Sequence, residues 1–92
     1  MNTAIDTDDG NPVLRGMVRA GLKEWKTRLC KIVEDGIKSG EIRDDVKPRR
    51  IANTIIATLE GALMISRLEG DRTAICDARE TLESMLIGIS AR

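Results

Sequence analysis

Apolar residues recur every three or four positions from Leu14 almost to the end of the chain, and no stretch alternates as a strand would. The first series runs Leu14, Met17, Val18, Gly21, Leu22, Trp25, Leu29, Ile32, Val33, Gly36 and Ile37, the spacing of one helical face. Asn11-Pro12 opens it, with an Asn that accepts from a free N–H and a Pro pre-set for the first turn. Ser39-Gly40 closes it, the glycine suiting the left-handed position after a helix. The pattern predicts a helix over 12–39, about 40 Å long, which Gly16 and Gly21 are expected to weaken or bend. A connector follows, pinned by Ile42 and Val46. Pro48 starts a second helix over 48–69; Lys47 is a poor cap, so Asp44 or Asp45 is expected to serve the free N–H groups. Gly70 ends it and Asp71 caps a third helix over 72–89, in which Ile75, Ala78, Leu82, Met85 and Ile89 form a heptad-like seam widened by Ala74 and Leu86. Residues 1–11, with Asp6, Asp8 and Asp9, read as a flexible leader, and Ser90, Ala91 and Arg92 as a fraying end. The fold expected is all-α: a three-helix antiparallel domain over 12–92.

The second helix differs from its neighbours in having two apolar faces. Ile51, Ala52, Ile55, Ile56, Leu59, Ala62 and Leu63 share one arc and are expected to hold the chain together. Thr54, Ala57, Gly61, Met64, Ile65 and Leu68 form a second stripe, set apart by Asn53, Glu60 and Arg67 on one edge and Thr58 on the other. Two apolar faces need two sets of neighbours. Gly61 in mid-helix costs about 1 kcal/mol relative to alanine but lets another helix come close. The second stripe, with Ala78, Leu82, Met85 and Ile89 of the third helix beside it, is therefore expected to meet a second copy of the molecule. Glu60, between the stripes, reads as solvated, with a pair to Arg67 as the alternative.

Composition narrows the rest. Ninety-two residues make one small domain whose stability as a monomer is marginal. The usual additions to a small core are missing: there are two cysteines, Cys30 and Cys76, both within helical patterns, and no histidine to complete a zinc set. Oligomerisation remains. The acids Asp6, Asp8 and Asp9 lack the glycine and distal glutamate of a calcium loop, so no metal is expected. Fifteen basic residues balance fifteen acidic ones, which gives no general push toward nucleic acid. Arg15, Arg19, Lys23 and Lys26 do gather on the first helix, but Glu24, Glu34 and Asp35 share its polar side, and the stripe reads as a solvated helix face. Cys30, Cys76, Ser66, Glu60 and Glu69 are the candidates for chemistry and none has a titrating partner, so neither catalysis nor a cofactor is expected. The longest unbroken apolar run, Gly61 to Ile65, is short for a membrane span, and the chain reads as soluble and cytoplasmic. Trp25, Met17 and Met64 suit either plain core or the lining of an apolar pocket.

Taken in order, Trp25, Glu34-Asp35-Gly36, Gly40-Glu41-Ile42-Arg43-Asp44-Asp45-Val46, Pro48 with Ile51-Ala52, Leu59-Glu60-Gly61-Ala62 and Arg67-Leu68 resemble the C-terminal regulatory domain of TetR-family transcriptional regulators. The resemblance covers about Val13 to Ile89. It implies that the three helices are the last three of such a regulator, probing a small apolar effector and dimerising through a four-helix bundle built by the final two. The pocket lining expected on this basis is Met17, Gly21, Trp25, Leu59 and Leu63. DNA would be reached only through a helix-turn-helix domain absent from this sequence, which reads as the effector-sensing part of a repressor. The alternative is a free-standing helical protein-interaction module that uses the same stripe.

Overall fold

The computed structural model describes residues 12–91; the expected leader, residues 1–11, lies outside them. Three helices follow in order, α1 over Pro12–Lys38, α2 over Pro48–Glu69 and α3 over Thr73–Gly88. Among the described residues there is no strand, only an isolated antiparallel bridge between Ile42 and Ser90. The helix α1 runs unbroken through Gly16 and Gly21, so neither glycine bends it out of helical geometry.

Helix ends follow local chemistry with small corrections. Gly40 and Gly70 both take positive φ, 82° and 74°, the left-handed conformation that lets the chain leave a helix. The Gly70 N–H donates to the Ser66 carbonyl at 2.8 Å. At the start of α2 Lys47 is the cap residue and no side chain bonds the helix N-terminus. Asp45 does not serve it; its carboxylate pairs with Arg43 at 3.2 Å, an i,i+2 neighbour reached without crossing to the helix. Asp71 accepts the Thr73 N–H at 2.9 Å, so α3 begins one residue later than expected.

Packing places α2 at the centre. Both α1 and α3 lie against it and not against each other. The enclosed positions of α2 are small, Ala52, Ala62 and Ser66, and Ala78 is the enclosed residue of α3. Small side chains let helix axes approach closely but bury little apolar area. No large side chain among the described residues is completely buried; Val33 at 4% and Ile89 at 9% exposure come nearest. The molecule measures 45 × 30 × 14 Å with a radius of gyration of 15.5 Å, against about 12 Å for a compact domain of this length. It has the flattened form of a layer that lacks its opposite layer.

The two outer helices are joined at one end. The Arg43 N–H donates to the Ile89 carbonyl at 3.0 Å and the Ala91 N–H to the Glu41 carbonyl at 2.9 Å. Ser90 and Ala91 are therefore held rather than frayed. The connector itself is clasped onto α1: the N–H groups of Glu41 and Ile42 both donate to the Gly36 carbonyl, and Ile42 lies so close over Gly36 that a Cβ there would stand 2.5 Å from its Cδ1. Gly36 thus makes room for the side chain that pins the connector.

Candidate dimerisation and effector surfaces

The inner face of α2 is the arc through Ala52, Ile55, Leu59, Ala62 and Ser66. Ala52, Ala62 and Ser66 are buried and Ile51, Ile55, Ile56 and Leu59 half-buried, whereas Leu63, expected in the same arc, is 40% exposed. Ser66 follows Leu59 by seven residues and so sits about 20° from it on the helix; the wheel held this signal, which a search for apolar residues passes over. Its hydroxyl oxygen is buried and makes no hydrogen bond.

The outer face of α2 carries the first half of the expected dimer surface. Thr54, Ala57, Met64, Ile65 and Leu68 are all exposed and Gly61 half-buried, with Leu68 at 76%. A Cβ at Gly61 would meet nothing within 4 Å, so no element of this chain uses the space its missing side chain leaves. The Thr54 hydroxyl donates back to the Arg50 carbonyl at 2.8 Å, so its polar group is satisfied within the helix. Glu60 is exposed and forms no ion pair with Arg67 among the described residues.

The second half of that surface is partly enclosed by the chain itself. Ala78 and Ile89 are buried and Leu82 and Met85 half-buried within the chain itself. The heptad seam of α3 is spent largely on α2, because α3 has only one broad apolar face and its own chain needs it. What α3 leaves exposed is Leu86 and Ile87, at 45% and 76%.

Of the five expected pocket residues, Gly21 and Trp25 share a surface depression. Val33 marks the side of α1 that faces α2; Trp25 lies about 80° and Met17 about 160° round the helix from it. Met17 is accordingly 67% and Trp25 42% exposed. Gly21 and Trp25 line an open depression with Glu24 and Arg28, which are paired at 2.7 Å. Met17, Leu59 and Leu63 do not line it. With Leu14 and Ile32, Met17 and Trp25 instead give α1 an apolar stripe of its own, turned away from α2.

A second concavity, not anticipated from the sequence, lies between α1 and the first turns of α2. One end is lined by Leu22, Asn53 and Ile56, the other by Cys30, Lys31 and Arg49, and Lys23 and Lys26 belong to both. No group of three or more Cys, Asp or Glu side chains fit to hold a metal occurs among the described residues. By length and composition alone α2 is apolar enough to cross a membrane, a property that the run Gly61 to Ile65 taken by itself understates. Its inner face, packed on two helices, and its charged Arg49, Arg50, Glu60, Arg67 and Glu69 match a helix at the centre of a helical layer.

This arrangement, a long helix, a clasped connector and a helix pair with an exposed apolar outer face, is that of an all-helical domain. The chain matches the family described as "Tetracyclin repressor-like, C-terminal domain" over residues 1–82, and it belongs to that family. Among solved structures, a TetR-family transcriptional regulator from Cytophaga hutchinsonii superposes with a TM-score of 0.88 at 33% identity, covering 98% of this chain and 45% of that one. A TetR transcriptional regulator from Chloroflexus aurantiacus J-10-FL gives 0.87 at 41% identity, covering 96% of this chain and 44% of that one. The chain thus spans under half the length of either regulator. No curated protein matches it.

Proposed function

We propose that this chain is the effector-sensing and dimerisation domain of a TetR-like repressor, acting in the cytoplasm as a homodimer. The observation that carries the reading is the outer face of α2, where Ala57, Met64, Ile65 and Leu68 are exposed around a glycine whose open side meets nothing. An exposed apolar stripe with a small residue at its centre suits a second helix crossing at close range, and two copies related by a two-fold axis supply it to each other. With Leu86 and Ile87 of α3 alongside, the last two helices of each copy would form a four-helix bundle. Contact with DNA would be made through a helix-turn-helix domain and not through these three helices. A small effector would act by changing how α1 sits on the bundle and so the spacing of the DNA-reading parts of the dimer.

The test compares two variants by sedimentation equilibrium. Gly61→Leu should weaken association by about 2 kcal/mol or more, since it obstructs the crossing, while Glu24→Ala, on an exposed surface pair, should change it by under about 0.5 kcal/mol. Equal dissociation constants would count against this placement of the interface.

A further inference from the structure

The groove between α1 and α2 has two chemically different ends that share a middle. Leu22 and the half-buried Ile56 give one end an apolar floor, and Lys23, Lys26 and Arg49 surround the other, over the half-buried Cys30. The chain as a whole is neutral, yet this end of the groove gathers Lys23, Lys26, Lys31, Lys38 and Arg49 against Glu34 and Asp35. Only Lys31 is paired, to Asp35 at 3.6 Å; Lys23, Lys26, Lys38 and Arg49 form no ion pair among the described residues.

Part of this charge has a local explanation. Lys38 stands in the last turn of α1, where a cation is favoured by the helix dipole. Arg49 has none. It stands in the first turn of α2, which has no acidic residue and no side-chain cap, so a positive side chain lies beside the positive end of a helix, facing the ammonium groups of α1. An anion is the one species that relieves all of these repulsions together.

We propose that this groove binds an amphipathic organic anion, its carboxylate or phosphate head held among Lys23, Lys26 and Arg49 and its aliphatic body laid on Leu22 and Ile56. The lining favours a small molecule over nucleic acid, because the chain's only aromatic side chain, Trp25, lies on another side of α1 and the groove offers no stacking surface. The proposal deepens the effector-sensing reading and rests on it for its biological use, by naming the effector's chemical class and moving its site from the Trp25 side of α1 to the Lys26 side. Binding is measured separately from self-association, so the failure of one does not imply the failure of the other.

The experiment is calorimetric titration of the 92-residue chain with decanoate and with decyl phosphate, each below its micelle-forming concentration, and with decanol and inorganic phosphate as controls. At least one of the two amphipathic anions should bind about tenfold or more tightly than either control, and whichever of them binds better identifies the head group. Arg49→Glu should weaken that binding about tenfold; because it places an acid in the first turn of α2, where an anion stabilises a helix, the loss will not come from unfolding. Lys26→Gln should act in the same direction and Arg79→Gln, on α3, should leave binding unchanged. The proposal is overturned if decanol or inorganic phosphate binds as well as the amphipathic anions, if Arg49→Glu binds them as tightly as the native chain, or if nothing binds.

Discussion

Ser66 concentrates the economy of this small core in one side chain. Nine-tenths of it is buried and its hydroxyl has no hydrogen-bond partner, so folding strips water from a polar group and returns nothing. A serine is nonetheless small enough for a core in which Ala52, Ala62 and Ala78 are also enclosed. Alanine would fit the same space without the desolvation cost. Ser66→Ala should raise the unfolding free energy by about 1 kcal/mol, read from urea denaturation; a fall in stability would mean that the hydroxyl has a partner in solution. Gly70 illustrates the opposite constraint. Its φ of 74° is strained for any residue with a Cβ, so Gly70→Ala should cost about 1 kcal/mol, whereas the helical Gly16, open on all sides, should gain by the same replacement. These single-residue properties were only partly legible in the sequence. The left-handed glycines announce themselves by following a helix pattern, but the burial of Ser66 depends on how closely the neighbouring helices approach, which no periodicity records.

At the scale of the elements, the boundaries of α1 and α2 follow from Pro12, Gly40, Pro48 and Gly70, because those residues act through the backbone and need no tertiary information. The two faces of α2 were legible for the same reason. In α3 the residues Ala78 and Ile89 are buried within the chain and Leu82 and Met85 half-buried: a heptad seam shows that a face is apolar and not whose neighbour it will be. The clasp was also invisible. It depends on α1 and α3 ending at the same end of the layer, which brings Glu41–Arg43 beside Ile89–Ala91. Ala91→Pro removes the N–H that bonds Glu41 and should lower stability by about 1 kcal/mol with unchanged helix content by circular dichroism. Amide exchange at Arg43 should quicken, as the other half of the clasp loosens; unchanged exchange there would show that the two bonds act independently.

For the whole molecule the decisive fact is the thinness of the layer. Val13, Met17, Ile32, Leu68 and Ile87 are each more than 60% exposed, while nothing large is completely enclosed, so the apolar surface this chain carries exceeds what three helices in one layer bury. Surface ion pairs do not compensate, since the four among the described residues are exposed and each contributes little. Stability should therefore depend on protein concentration, as it does wherever association completes a core. Light scattering across a dilution series, with circular dichroism on the same samples, tests this most directly. The account predicts twice the chain mass of 10.1 kDa at micromolar concentration, with helicity falling as the dimer dissociates; a fully helical monomer persisting at those concentrations would contradict it.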